Sequence, residues 1–447
     1  MDPVRSDVAL LYRRAGFGAT PAQLDAAASA GYEATVETLI AGLQGPDPGG
    51  DSVHVPAFSH ATKPAGPPGS VARKAQQKSL AGQYRELQSW WAQRMVATST
   101  PLREKLTLFW HGHFATGFSK VRDVAAMYDQ NQLLRSAGGG SFEALVQAVA
   151  KGEAMMRWLD TATDKKNHPN ENFARELMEL FTLGLGNYAQ ADVVSAARGF
   201  TGWVTDPRDG SWHIQPAQHD DGYKTYLGHT GNYGGEDIIH LAVNDPASAR
   251  FVLSKLWSHF AYPVAPSDQV VSDLLAAYGP GSDVTAALKA LFLHPAFRST
   301  TARQGLVKQP IAYLVGAARS LGLSATLERT QAAPATSHPL AQGLPAMSTR
   351  LAQTLFDPPN VGGWGQNAYW IDTATSLARL DIAAQMGAAA DLSALHASAA
   401  SARSEAVAIM LGLDGWGPTT TAALNHAAGD PISLVATALT APEYVLE

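Results

Sequence analysis

The stretch from residue 167 to residue 203 constrains the fold of this 447-residue chain most strongly. Apolar residues recur in it at helical spacing, glycines follow, and a second run at helical spacing comes after an aspartate. Pro169 suits a first helical turn, Gly184 a helix end, and Asp192 the N-cap of the second helix. The pattern therefore predicts two consecutive helices joined by a short turn. Their apolar faces carry Phe173, Ala174, Leu177, Leu180 and Phe181 in the first helix, and Val193, Val194, Ala197 and Phe200 in the second.

The opposite face of the first helix is polar and admits two interpretations. Arg175 lies four residues from both Glu171 and Glu179, so these charges can pair in solvent, each pair contributing roughly 0.2–0.5 kcal/mol. Alternatively, Glu176 and Glu179 line a buried polar site, as metal ligands or as an acid/base pair, with Arg175 beside them. Spacing alone favours the solvated face, and the buried site stays open as the functional alternative.

Helical periodicity dominates the remaining chain, and we predict a mainly α protein, a multi-helix globular bundle. The exception lies near residues 203–230, where alternating character and glycine-rich turns predict a small β-hairpin or ribbon, with strands at 212–214 and 224–227. We expect one large helical domain over residues 1–390 and an accessory C-terminal helical segment over residues 391–447. Two segments rich in proline and small residues, 45–70 and 322–346, are expected to be lid-like insertions.

Composition and charge narrow the classes of function. With a formal net charge of −6, the chain has no excess of positive charge to attract nucleic acid, so we expect no nucleic-acid partner. No apolar run approaches the roughly 20 residues of a transmembrane helix, and the N-terminus lacks a signal-peptide pattern, so the compartment stays open. The chain contains no cysteine, so any bound metal must rest on His, Asp, Glu, Asn or backbone oxygen.

Two histidines flank a glycine near the end of the helix that Pro101 is predicted to begin. His113 lies on the apolar face of that helix, whereas His111 points elsewhere as long as the helix persists. Gly112 could break the helix, and both imidazoles could then converge on a metal ion. An inward histidine is more often a hydrogen-bonded core residue than a ligand. The glycine between the two histidines favours function, so a structural and a functional role for His113 are about equally favoured.

A third polar group, His219, Asp220 and Lys224, lies at the tip or return of the predicted ribbon. Loops that are positioned by a rigid scaffold often carry function, so His219 and Asp220 could be metal ligands and Lys224 could hold an anion. The structural alternative is an aspartate-capped turn with a surface salt bridge.

Six blocks of the chain closely resemble the signature of a large bacterial family catalogued as domain of unknown function 1800. The central blocks are NENFARELMELFTLG and DVVSAARGFTGW, and the resemblance extends to LLYRRAGFGAT at 10–20, LTLFWHGHFATG at 106–117, HDDGYKTYLG at 219–228 and DPPNVGGWGQNAYWI at 357–371. The resemblance covers the chain to about residue 385 and implies membership of this family, without implying an activity. Members often resemble exported proteins, so the resemblance leaves export open.

The three polar groups together suggest a function, provided that the fold brings them to one place. They would supply the nitrogen and oxygen ligands of a divalent metal such as Zn, Mn or Fe, which would activate water for a hydrolase or act in an oxidase. We therefore expect an enzyme that acts on a polar substrate. The alternative is a non-catalytic cell-envelope binding or assembly protein with a structural polar core and a protein partner. The expected catalytic residues are Arg175, Glu176, Glu179 and Lys224, and the expected metal ligands are His111, His113, Glu176, Glu179, His219 and Asp220.

Overall fold

The computed structural model describes residues 2–60, 65–206, 208–323 and 343–447. It is mainly helical, which confirms the predicted fold class. Many helices begin with a proline at their first position, where the missing N–H has no intrahelical partner to lose. The helices before the central stretch are α1 (Pro3–Arg14), α2 (Pro21–Ala30), α3 (Tyr32–Ala41), α4 (Pro48–Asp51), α5 (Val71–Ala97), α6 (Pro101–His113), α7 (Phe118–Val121), α8 (Val124–Ala137), α9 (Phe142–Lys151), α10 (Glu153–Trp158) and a 3₁₀ turn (Thr161–Thr163).

The central stretch forms the predicted pair of helices, with one unpredicted feature. Helix α11 (Glu171–Glu176) continues directly into a π-helix (Leu177–Thr182), and α12 (Gln190–Phe200) follows the turn. The glycines at 184 and 186 both have positive φ, which ends the first helix as predicted. The prediction that Asp192 is the N-cap residue of α12 is wrong, because Ala189 occupies that position. The carboxylate of Asp192 instead accepts a hydrogen bond from the N–H of the cap residue Ala189, at 2.8 Å.

The chain after the β segment is again helical within its described part. Its α-helices are α13 (Gly235–Asn244), α14 (Pro246–Phe260), α15 (Gln269–Tyr278), α16 (Val284–Leu293), α17 (Thr300–Arg303), α18 (Pro310–Ser320), α19 (Gly343–Arg350), α20 (Thr373–Ala389), α21 (Ser393–Ala397), α22 (Arg403–Met410), α23 (Pro418–Ala427), α24 (Pro431–Thr440) and α25 (Pro442–Val445). Short 3₁₀ turns lie at Pro216–Gln218, Pro295–Arg298, Asn367–Trp370 and Ala400–Ala402.

The β segment contains two separate two-stranded antiparallel sheets. Strand β1 (Trp203–Thr205) pairs with β2 (Trp212–Ile214), and β3 (Lys224–Tyr226) pairs with β4 (His229–Gly231). The predicted strands are present, but the pairing expected between 212–214 and 224–227 is wrong. Each strand instead finds a partner nearby along the chain. The turn between β3 and β4 consists of two residues with positive φ, Leu227 and Gly228, a geometry that favours tight hairpins.

Helix α6 separates two hydrophobic cores. Leu106 and Phe109 belong to the first core, which gathers α1 to α3, α9, the central stretch and α13 to α16. Leu108 faces the second core, which gathers α5, α18, α19, α20 and the C-terminal helices. Nearly all residues of α6 are buried, including Glu104 and Lys105, which fits its position between the two cores. Residues at the C-terminal end of α6 can therefore line a cleft between the two cores.

A buried ionic network joins α5, α6 and α8. The carboxylate of Glu104, which is fully buried, accepts hydrogen bonds from Arg94 (2.9 Å), Arg135 (2.6 and 3.1 Å) and the indole N–H of Trp91 (2.9 Å). Burial alone would raise the pKa of Glu104, but Arg135 and Arg94 outweigh it and lower the pKa. Because every donor converges on one carboxylate, this network holds three helices together.

The C-terminal segment 391–447 contributes to the second core beside α5 and α18, and Leu446 forms an isolated β-bridge with Val307. The division into residues 1–390 and 391–447 stays a prediction. Of the expected lid-like insertions, residues 45–60 and 65–70 are described, and most of 322–346 lies outside the described residues. Across the described ranges, none of the helices combines the length and the apolar character that crossing a bilayer requires.

Candidate functional site

A cavity of about 340 Å³ opens beside the C-terminal end of α6, and we call it the lysine pocket. Its walls come from α6, from α14 and from the loop that follows Phe356, and it therefore lies where the two cores meet. The volume falls in the range of small-molecule sites, which are commonly placed at such junctions. The lining residues are Leu108, Phe109, Gly112, His113, Ser254, Lys255, Ser258, His259, Val264, Gln309, Gly362, Trp364 and Gln366.

Two glycines bring the loop 357–371 into direct contact with α6. A Cβ atom added to Gly363 would lie 2.2 Å from the carbonyl oxygen of Gly112, which is far inside van der Waals contact. Gly363 also has a φ of +79°, in the region where glycine is favoured. The close approach of these two backbones holds Trp364 and Gln366 in the wall of the lysine pocket.

The π-helix of the central stretch contributes backbone carbonyls to the site. The Nζ of Lys255 donates a hydrogen bond to the carbonyl oxygen of Leu180 at 3.0 Å, and the Nε2 of His113 lies 3.0 Å from the carbonyl oxygen of Phe181. A π-helix displaces carbonyls from the regular hydrogen-bond ladder, which leaves them available to other donors, and such turns are frequent at functional sites. The central stretch therefore meets the pocket through its backbone.

Lys255 is the lysine that lines the lysine pocket. Burial lowers its pKa from the ordinary value of 10.5 to about 8, because the surroundings disfavour the ammonium form. Its Nζ lies 3.5 Å from the Nδ1 of His113 and 4.7 Å from the ring centroid of Phe251. The structure holds this amine at the cavity wall with one backbone carbonyl and one imidazole as neighbours.

His113 orients this lysine as a neutral imidazole. Burial lowers its pKa well below the usual value, and Lys255 lowers it further. A neutral ring that donates from Nε2 to Phe181 has an unprotonated Nδ1, and this atom faces the Nζ of Lys255. On this arrangement Nδ1 accepts a hydrogen bond from the lysine, and both ring nitrogens have partners.

His259 lines the deeper part of the lysine pocket. Burial lowers its pKa to about 3, with further lowering from Lys105 and Arg14. Its Nε2 is buried and has no hydrogen-bond partner among the described residues.

His111 does not join His113. Gly112 does not break the helix before both histidines, so the two imidazoles point in different directions. The Nε2 of His111 accepts a hydrogen bond from the backbone N–H of Phe356 at 3.1 Å, and its ring packs edge-on against Trp91. Burial lowers its pKa to about 3, so it is neutral. His111 thus anchors the start of the loop that closes the lysine pocket.

The charged face of α11 is largely paired at the surface. Arg175 pairs with Glu171 at 2.8 Å, and both side chains are nearly 40% exposed. Glu179 accepts a hydrogen bond from the hydroxyl of Tyr188 at 2.9 Å. Burial raises the pKa of Glu176, and Glu179 raises it further. These residues do not line the lysine pocket, and a catalytic or metal-binding role for them stays a prediction.

The group at 219–224 folds onto the end of α12. The Nδ1 of His219 lies 2.7 Å from the carbonyl oxygen of Thr201, and Asp220 pairs with Arg198 at 2.7 Å. Lys224 is buried and donates to the carbonyl oxygen of Asp220 at 2.6 Å. These polar groups already have partners within the protein, as in the structural alternative, and their proposed ligand and anion-binding roles stay predictions.

The six expected metal ligands do not form one cluster in the structure. Within the described ranges, the group of three potential ligand side chains with mutually close ligand atoms is His60, Asp123 and Glu153. Sequence reasoning missed this group, and it also missed Lys255 and His259. The last two lie four residues apart and therefore share a face of α14, but that spacing does not show whether the face is buried.

The fold and the lysine pocket define a mainly helical protein with a polar cavity between two hydrophobic cores. A family model described as "Protein of unknown function (DUF1800)" matches residues 10–446. The chain therefore belongs to this family, and the resemblance seen in its sequence blocks is confirmed. Neither a curated protein nor a solved structure gave a significant match.

Proposed function

We propose that the protein is an enzyme and that Lys255 is its reactive amine. One observation carries the proposal: a lysine with a pKa lowered to about 8 lines a cavity large enough for a small molecule. Desolvation is an established way to make a lysine nucleophilic, because it increases the share of neutral amine near neutral pH. At pH 7 about 10% of such a lysine is neutral, against roughly 0.03% for a pKa of 10.5.

The substrate class that suits this amine is a small aldehyde or ketone with polar substituents. The Nζ lone pair would add to the carbonyl carbon, the C=O π electrons would move to the oxygen, and that oxygen would take up a proton. Loss of the nitrogen proton and of water would then form an imine. Ser254, Ser258, Gln309 and Gln366 line the cavity and can hydrogen-bond the polar substituents.

The surroundings of Lys255 support this role. The carbonyl oxygen of Leu180 and the Nδ1 of His113 both accept from its Nζ, so they fix the direction in which the amine points. His113 is a positioning residue, because its ring nitrogens contact the lysine and a backbone carbonyl. The expectation of a metal-dependent hydrolase or oxidase is a separate prediction, and the chemistry of the lysine pocket needs no metal.

The non-catalytic alternative also has an observation in its favour. With a pKa of about 8, most of Lys255 is ammonium at pH 7, so the lysine pocket could hold an anionic ligand without reacting. The buried network at Glu104 further shows that this fold uses buried charges for structure. On this alternative, the protein would be a binding or assembly protein that recognises a carboxylate.

Reductive trapping separates these two functions. The protein is treated at pH 7 with limiting acetaldehyde and cyanoborohydride, and modified lysines are located by mass spectrometry. We expect modification at Lys255 at least tenfold faster than at Lys289, a half-exposed lysine on α16 that pairs with Glu37 and serves as the internal control. The rate at Lys255 should rise with pH with a midpoint of about 8.

Lys255→Arg is the matched variant, because it keeps a cation in the cavity and removes the nucleophilic amine. Equal modification of Lys255 and Lys289 would contradict the enzyme proposal. Stabilisation of both wild type and Lys255→Arg by a small dicarboxylate, without preferential trapping, would favour the binding protein.

A further inference from the structure

A second group of polar side chains shares no residue with the lining of the lysine pocket. His60 ends the described part of the segment after α4, Asp123 is the N-cap residue of α8, and Glu153 is the first residue of α10. The Nδ1 of His60 lies 3.6 Å from the Oδ1 of Asp123 and 3.3 Å from the Oε2 of Glu153. The three potential ligand atoms all lie within 4.8 Å of one another.

The two separations from His60 match the edges of a metal coordination shell. In a tetrahedral site with metal–ligand bonds of about 2.1 Å, neighbouring ligand atoms lie roughly 3.4 Å apart. The two distances from His60 bracket that value. One imidazole nitrogen and two carboxylate oxygens are a ligand set that Zn²⁺ and Mn²⁺ both accept, with further positions left for water.

The hydrogen bonding of the group points the same way. The Oε2 of Glu153 and the Nδ1 of His60 are buried atoms without a hydrogen-bond partner among the described residues. The side chain of Glu153 is only 7% exposed, so an oxygen in this state needs a partner. Both atoms are directed toward the space that the three side chains share.

Arg157 holds the outer oxygens of both carboxylates. Its guanidinium lies 3.4 Å from the Oδ2 of Asp123 and pairs closely with the Oε1 of Glu153. The inner oxygens, Oδ1 and Oε2, are the ones that approach His60. Contacts of this kind, from a neighbouring side chain to the far side of a ligand, orient metal-binding carboxylates.

Several charged side chains surround the group. Two buried carboxylates face one guanidinium and one imidazole, and Asp129 adds a third carboxylate close to Asp123 and His60. A divalent ion would stabilise the ionised form of both carboxylates.

We propose that His60, Asp123 and Glu153 bind one divalent ion, Zn²⁺ or Mn²⁺, which ties the segment before residue 61 to the N-terminal ends of α8 and α10. The proposal is independent of the function of Lys255. His60 is the most exposed of the three, with 34% of its side chain accessible, so an ion can enter from that side.

Titration calorimetry of the full chain tests the site. The protein is first treated with EDTA and dialysed, and Zn²⁺ and Mn²⁺ are then titrated separately at pH 7. We expect one equivalent of at least one of these ions to bind, and we expect His60→Ala to weaken binding at least tenfold. His54→Ala removes an exposed imidazole from the same segment and is the matched control, with binding expected to be unchanged.

Thermal unfolding supplies the second measurement. The bound ion should raise the melting temperature of the wild type and of His54→Ala, and it should leave that of His60→Ala unchanged. Glu153→Gln keeps the shape of the side chain, removes its charge, and should weaken binding at least tenfold as well. Absence of binding of both ions to the wild type, or equal binding by the wild type and His60→Ala, would overturn the proposal and leave the group as an ion pair.

Discussion

Replacement of Gly363 by alanine should loosen the wall of the lysine pocket while leaving the rest of the fold in place. This residue has a φ of +79° and faces the backbone of α6 across the closest approach in the site. An added methyl group would lie 2.2 Å from the carbonyl oxygen of Gly112, so the loop must move away by roughly 1 Å to reach ordinary contact.

The magnitude follows from two contributions. A non-glycine residue in the left-handed region costs roughly 1–2 kcal/mol. Displacement of a packed loop adds roughly another 1–2 kcal/mol, within the usual range for disturbed core contacts. We therefore expect Gly363→Ala to lower the free energy of unfolding by about 2–4 kcal/mol.

Gly362→Ala is the matched control, because it adds the same methyl group one residue earlier. There the closest atom is the side-chain oxygen of Asn360 at 3.1 Å, and the backbone has no positive φ. We expect that control to stay within about 0.5 kcal/mol of the wild type. Urea unfolding followed by tryptophan fluorescence measures both variants.

The same pair of variants tests the link between this contact and Lys255. If the loop keeps water away from the lysine, Gly363→Ala should move the midpoint of its aldehyde reactivity from about 8 toward 10.5. The reasoning would be refuted by equal stability of the two variants together with an unchanged midpoint in both.

Two further predictions concern buried carboxyl groups. Glu104→Gln should lower the free energy of unfolding at pH 7 by roughly 3–5 kcal/mol, because it leaves the guanidinium groups of Arg94 and Arg135 without a buried counter-charge. A loss below 1 kcal/mol in urea unfolding would contradict this. Burial raises the pKa of Asp164 from 3.8 to about 7, so its contribution to stability is present below pH 4 and is lost as the pH rises to 7. The free energy of unfolding of the wild type, measured relative to Asp164→Asn, should therefore fall between pH 4 and pH 7, and a constant difference would contradict the assignment.

The sequence predicted much of the secondary structure because its signals are local. Helical spacing, prolines at helix starts and glycines at helix ends depend on a few neighbouring residues, and they placed α11 and α12 correctly. The pairing of strand 212–214 was predicted wrongly. In each hairpin the paired strands follow each other directly along the chain. The two-residue turn of positive φ at 227–228 joins β3 to β4, so strand 224–226 pairs with 229–231 and not with 212–214.

The lysine pocket could be predicted only in part. His113 was among the candidates because it lies on the apolar face of a predicted helix, and the structure places it in the cavity wall. Lys255 was not among them, because a single lysine in an apolar helix has no local pattern that tells a buried amine from one that reaches solvent. The π-helix carbonyls at Leu180 and Phe181 leave no trace in residue type, because they are backbone atoms.

What the sequence by itself determined is therefore the family, the mainly helical class and the absence of cysteine ligands. Only the tertiary structure decided which polar groups meet. Spacing along a helix fixes which residues share a face, but burial, partner atoms and shifted pKa values depend on segments that are distant in the chain. That is why Lys255 meets His113 across 142 positions, and why Arg175 and Glu171 of α11 pair with each other at the surface.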